Sequence, residues 1–157
     1  MTIRMQMVTG DRVLTCAFWS FGCMIEAFKH CRPVLCVDGT FLTGMYKGQL
    51  LTCIGVDAND KVVLIAFAFV ESENAESWLW FLSLIKRVVV CERPNVCVLH
   101  DRHKGILSAI KKLQECRYVD VLWPDLHSRW CMRHLVVNFY SQFRSKRLKD
   151  LFKKMCR

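Results

Sequence analysis

The clearest pattern lies between residues 34 and 70. Three apolar stretches rich in β-branched and aromatic residues predict strands at Val34–Asp38, about Gln49–Val56, and Val62–Val70. Their short links imply antiparallel pairing. Asp57-Ala58-Asn59-Asp60-Lys61 is dense in residues that tolerate left-handed backbone and predicts a hairpin turn, while Gly39, Gly44 and Gly48 mark the first link as loop-like. The period then becomes helical. Trp78, Phe81, Leu82, Ile85 and Val89 follow Asn74, a good N-cap, and Glu76 in the first turn. This stripe reads as core rather than as a platform for bases, since periodic Trp and Phe normally pack on a sheet. Pro94 stops the helix, and Val96–Leu99, apolar throughout, predicts a buried central strand that ends at His100-Asp101. A helix over Lys104–Leu113, a loop over Glu115–Pro124, a short strand near Leu126–Trp130 and a helix over Cys131–Phe143 complete the series. The last helix is expected to bury Leu135, Val136, Phe139 and Phe143.

The order β-β-β-α-β-α-β-α, a three-strand antiparallel meander followed by alternating helices and strands, is that of an RNase-H-like α/β fold, a mixed sheet with helices on its faces. Residues 28–143 are expected to form this domain, after a lead-in segment over 1–27 and before a basic helix or tail over 144–157. A chain of 157 residues suits one domain and buries ~70% of its unfolded surface. The fold is expected to be incomplete at its C-terminus. In that case Trp78, Phe81 and neighbouring apolar groups lose part of their cover, and the chain self-associates as a homo-oligomer or aggregate.

Hydrophobic residues make up 53% and charged residues 24% of the chain, which excludes a disordered or low-complexity protein. The net charge is +9, and Arg144, Lys146, Arg147, Lys149, Lys153, Lys154 and Arg157 crowd the last fourteen residues against Asp150 alone. Such a tail attracts phosphate backbones or anionic lipids without sequence readout; a solvated helix face is the alternative. The ten cysteines lack the regular spacing of a disulfide scaffold, and Cys36, Cys53 and Cys97 sit in apolar runs, so a reducing compartment fits. The uncharged stretch Val13–Ile25 has the length of a signal-peptide core. However, Asp11 precedes it, Glu26, Lys29 and His30 follow it, and no small-x-small cleavage site ends it. No membrane span is predicted, since the apolar run Val62–Val70 is too short to cross ~30 Å of hydrocarbon as a helix.

Two acidic residues occupy special positions: Asp38 in Val-Asp-Gly-Thr-Phe, at the end of the first predicted strand, and Asp101 in His-Asp-Arg-His-Lys-Gly, at the end of the fourth. In this topology the two strands are neighbours, so both carboxylates point into one crevice, where hard oxygen ligands hold Mg²⁺ with positions left for phosphate and water. The plainer reading is that each aspartate caps backbone amides at a strand end. Gly39 and the nearby Arg102, His103 and Lys104 favour the first, since they place positive charge beside a bound phosphate. Cys131 and His134 stand at i and i+3 with His127 upstream, one ligand short of a zinc site, and read as a local structural or site-shaping pair. For Trp130, core packing is expected over base stacking.

The run Phe28-Lys-His-Cys-Arg-Pro-Val-Leu-Cys-Val-Asp38-Gly-Thr-Phe-Leu42, followed by Tyr46-Lys47-Gly48, resembles the first catalytic block of plant Mutator-like transposases. The resemblance continues in order. It takes in Ala66 to Asn74 with Trp78 to Leu82, then Asp101-Arg102-His103-Lys104-Gly105-Ile106, then the Cys-x-x-His block Cys131-Met132-Arg133-His134-Leu135 with Asn138 and Phe139. It covers about Phe28 to Phe143 and implies a DDE-type transposase that cleaves and joins DNA with Mg²⁺ or Mn²⁺ in the nucleus. Asp38 and Asp101 then match the first two metal ligands. Arg102, His103, Lys104, Lys146 and Arg147 are the candidate nucleic-acid contacts. The third ligand of the family, a glutamate on a helix after the Cys-x-x-His block, has no counterpart, because Asp150 is the only acidic residue beyond Cys131. A transposase fragment and a domesticated, non-catalytic nuclear DNA-binding or regulatory protein are therefore both open, and a basic module that docks anionic partners is a third reading.

Overall fold

A computed structural model describes residues 2–8, 11–45, 47–115 and 121–155. The described residues form a mixed α/β fold, consistent with the RNase-H-like expectation. Its strands are β1 (Thr2–Val8), β2 (Asp11–Ser20), β3 (Val34–Leu42), β4 (Gly48–Val56), β5 (Val62–Val70), β6 (Cys97–His100) and β7 (His127–Trp130). Its helices are α1 (Gly22–His30), α2 (Ala75–Leu84), α3 (Lys104–Glu115), α4 (Met132–Phe143) and α5 (Lys146–Met155). The strands make one sheet in the order β1-β2-β5-β4-β3-β6-β7.

The meander β3-β4-β5 is antiparallel as predicted. Its second turn closes because the Asp57 carboxylate accepts the N–H groups of Asn59 and Lys61, each at 2.8 Å, while Asp60 takes φ 63°. β3 is longer than its apolar run suggested. It stays paired with β4 as far as Leu42↔Gly48, so Asp38 lies within the strand. The parallel ladder with β6 ends earlier, at Cys36↔Leu99.

The 1–27 segment does more than lead into the fold. β1 and β2 form a hairpin, and β2 pairs with β5 from Cys16↔Val70 to Ser20↔Ala66, which extends the sheet on its outer side. The stretch Val13–Ile25 is therefore divided between a strand and a helix. Thr15, Cys16, Ala17 and Phe18 are all buried, so this part of β2 shows no period-two alternation. Phe18 meets the rings of Trp80 and Phe81 at 6.5 and 5.9 Å.

Asn74 caps α2 as expected, its side chain accepting the N–H groups of Glu76 and Ser77 at 2.9 Å each. The helix then widens into a π-helical segment, Ile85–Val90, which keeps Ile85, Val89 and Val90 buried and ends at Cys91 with φ 49°. Trp78 and Phe81 are fully covered, against the expected loss of cover. The predicted loop over Glu115–Pro124 lies outside the described residues for 116–120. Beyond it Trp123 is buried, and its N–H bonds the Leu113 carbonyl at 2.7 Å.

α4 departs from its expected burial. Val136 is buried, Leu135 and Phe139 are half-buried, and Phe143 is exposed. The basic segment is a helix, and α5 rests on α4 by the stacking of Phe152 on Phe139 at 4.8 Å. Among the described residues no helix is long and apolar enough to cross a membrane.

Phe81→Ala is expected to destabilise the chain by about 3–5 kcal/mol and Asn74→Ala by about 1 kcal/mol, both read by urea unfolding. A Phe81 variant as stable as the parent would show that the core is not centred under α2.

Candidate active site

The parallel register of β3 and β6 runs Val34↔Cys97, Leu35↔Val98, Cys36↔Leu99. The ladder ends there, and Asp38 and Asp101 each lie two residues beyond the last pair, Asp38 still within β3 and Asp101 just past the end of β6. Along β3, Leu35 and Val37 are buried, and Cys36 and Asp38 alternate with them onto the other face.

The first turn of α4 reaches that other face. The Arg133 guanidinium donates to Asp38 Oδ2 at 2.6 Å, and His134 Nε2 lies 3.7 Å from Asp38 Oδ1. Asp38 Oδ1 also accepts its neighbour's N–H, from Gly39, at 3.1 Å. With Arg133 at 70% and Asp38 at 42% exposure, the pair is solvated and contributes at most about 1 kcal/mol. Cys131 is the N-cap of α4, and its N–H bonds the His100 carbonyl at 2.6 Å, so the Cys-x-x-His block is pinned directly to β6. Burial raises the Cys36 thiol, with smaller contributions in the same direction from Cys131 and Cys97, and Arg133 opposes them.

Asp101 Oδ1 accepts the His103 N–H at 2.8 Å, the capping geometry of a strand-end aspartate. Beyond it an open groove of about 540 Å³ is lined by Asp101, Arg102, His103, Asn138, Ser141 and Gln142. The Arg102 guanidinium lies 5.9 Å from the Trp130 ring centre, and Trp130 is 54% exposed, which overturns its expected burial. β7 is the last strand of the sheet, and its side chains are largely uncovered. Lys104 opens α3, and Lys146 and Arg147 open α5, all exposed; among the described residues no ion pair ties them to either aspartate.

Three residues of the site escaped the sequence reading. Arg133 stood inside the Cys-x-x-His block, unmarked beside its Cys and His. Glu73 accepts the Trp78 indole N–H at 3.1 Å and lies against Gly39, on the face of β3 away from Asp38. His100 is fully buried; its Nδ1 bonds the Asp101 carbonyl, and its Nε2 meets Ser128 Oγ at 2.7 Å. A polar residue in the otherwise apolar run before Asp101 was the one available signal. Among the described residues no group of three His, Cys, Asp or Glu is placed to hold a metal ion, and His127, exposed on β7, does not join Cys131 and His134.

A family model for the MULE transposase domain matches residues 34–138. Three Arabidopsis thaliana proteins are similar over most of this chain. FAR1-RELATED SEQUENCE 6 is 23% identical over 82% of the chain and 17% of its own length. FAR1-RELATED SEQUENCE 4 is 25% identical over 91% and 19%, and FAR-RED IMPAIRED RESPONSE 1 is 26% identical over 85% and 17%. The chain thus spans less than a fifth of the length of these relatives.

Burial lowers the His100 pKa, and the hydrogen bond to the Asp101 carbonyl and the Asp101 charge oppose the shift. The unfolded chain therefore binds the proton more readily than the folded one. The contribution of His100 to stability is complete above the ordinary histidine value of about 6.5 and declines as pH falls through it toward the lower folded value. The thermal midpoint is expected to fall more steeply between about pH 7.5 and about pH 5.5 in the parent than in His100→Asn; parallel slopes would contradict this.

Proposed function

Because this chain belongs to the MULE transposase domain family, we propose that it is the nucleic-acid-processing core of a DDE-type transposase, in which Asp38 and Asp101 hold Mg²⁺ or Mn²⁺ against DNA for strand cleavage and transfer. The observation that supports the reading is the parallel register of β3 and β6, whose last pair, Cys36↔Leu99, lies two residues before Asp38 and Asp101 alike. Their chemistry fits the ion. Mg²⁺ takes hard oxygen donors and is commonly held by one or two carboxylates, with water and phosphate in the other positions. Asp38 already draws a cation, the Arg133 guanidinium. A divalent ion bound there supplies activation of the attacking oxygen and stabilisation of the leaving one.

The chain's own groups do the binding. Arg102 offers planar donors to a phosphate beside Asp101, Trp130 presents a ring on which a base can stack, and Lys104, Lys146 and Arg147 add a positive field that draws the backbone in. Chromosomal DNA as substrate places this work in the nucleus.

A second reading has its own support. Arg133 holds Asp38 directly, on the carboxylate that a metal ion would need. One of the similar proteins, moreover, is named for an impaired far-red response. Such a chain is transposase-derived, binds DNA and performs no reaction.

Nicking of supercoiled plasmid in Mn²⁺, beside a binding assay with the same DNA, separates the two. The first reading predicts nicking that falls at least about tenfold in Asp38→Asn and Asp101→Asn while binding persists. Binding without nicking in the parent would establish the second. Because Arg133 competes for Asp38, Arg133→Gln is expected to bind Mn²⁺ more tightly in calorimetry, up to about fivefold, the limit an exposed ion pair sets. Weaker binding in that variant would make Arg133 part of the metal site rather than its competitor.

A further inference from the structure

Two glycines let side chains crowd together on the face of β3 opposite Asp38. A methyl group on Gly39 would stand 2.9 Å from Glu73 Oε2 and 3.0 Å from its Cδ, so the Glu73 carboxylate fills the space a side chain would take. A methyl group on Gly105 would meet His103 Cε1 at 3.1 Å and the backbone of Asn74 and Ala75 at 3.0 and 3.1 Å. The His103 ring is thereby held against the first turn of α3, close to the start of α2. The Glu73 side chain is 17% exposed, and its Oε1 lies 3.5 Å from His103 Nδ1, within ion-pair reach and outside hydrogen-bond geometry. That nitrogen is buried with no other partner, yet 39% of the His103 side chain is exposed and lines the groove beside Asp101. Nε2, unlike Nδ1, is not buried, and it is the ring nitrogen left available to the groove.

We infer that Glu73 is a positioning residue that sets the His103 ring with N–H at Nδ1, so that the Nε2 lone pair is offered to the groove as acceptor for an O–H donor beside Asp101, a water molecule or a sugar hydroxyl. Which ring nitrogen carries the proton is set by the partner of the other, and a lone pair turned toward a carboxylate would be repelled. The His103 backbone N–H caps Asp101 at 2.8 Å and keeps the residue that carries the ring next to that carboxylate. The acceptor role rests on the DNA-processing reading of the groove; the tautomer does not.

The test is long-range ¹⁵N–¹H NMR of the His103 imidazole at about pH 8, above the ordinary histidine range, on the full chain and its Glu73→Gln and Glu73→Ala variants. The expected result is the Nδ1–H tautomer in the parent and in Glu73→Gln, whose amide oxygen accepts the same proton, and a shift to Nε2–H in Glu73→Ala. Plasmid nicking should fall by about tenfold or more in Glu73→Ala and in His103→Ala, with no further loss in the double variant. An Nε2–H tautomer in the parent, a tautomer indifferent to Glu73→Ala, or additive losses in the double variant would overturn the inference. A parent that shows the tautomer switch and nicks no DNA keeps Glu73 as the residue that sets the ring and overturns the cleavage reading instead.

Discussion

Three residues of β3, Val34 to Cys36, pair in parallel with Cys97 to Leu99 of β6, and this short ladder determines whether two aspartates far apart in sequence share an edge. A parallel pair needs a crossover, here α2 and its π-helical continuation, whose Trp78, Phe81, Ile85 and Val89 are buried in the core. Burial of that stripe and the register of the ladder are the same constraint. A slip of one residue would turn Leu35 and Val37 outward and carry Asp38 into the core.

The charges around this edge divide by face. On the α4 side Asp38 meets Arg133 and His134. On the α2 side Glu73 lies under Gly39 and faces His103. Asp101 stands between them, with its carboxylate capping the turn that carries His103 and its carbonyl bonded by buried His100. Strand alternation keeps Glu73 and Asp38 apart, which is why a third acidic residue next to the pair does not complete a three-carboxylate group.

The elements that depend on one-sided burial were legible in the sequence. β4, β5 and α2 with its Asn74 cap stand where alternation, turn chemistry and helical spacing put them. What escaped has physical causes. Four consecutive buried residues hide the period of β2. The polar end of β3, from Gly39 to Thr40, pairs because β4 is there, a long-range reason that local composition does not carry. Phe143 was assigned to the core on helical spacing and Trp130 on residue type, and both are exposed. The two aspartates were singled out as strand-end residues, and Asp38 instead lies within β3, which runs on to Leu42; Arg133 and Glu73 stand beside Asp38 and Gly39 through tertiary contact, and nothing in a single sequence sets Glu73 apart from exposed Glu71.

The central claim is that Asp38 and Asp101 form one cation place, now held on one side by Arg133. Paramagnetic broadening of backbone amide signals during a Mn²⁺ titration tests it residue by residue. The expected result is early broadening confined to β3 around Asp38, to the end of β6 at Asp101 and to the first turn of α4 at Arg133, and its loss in Asp38→Asn. Broadening centred elsewhere, or none at these residues while the fold stays intact, would contradict it.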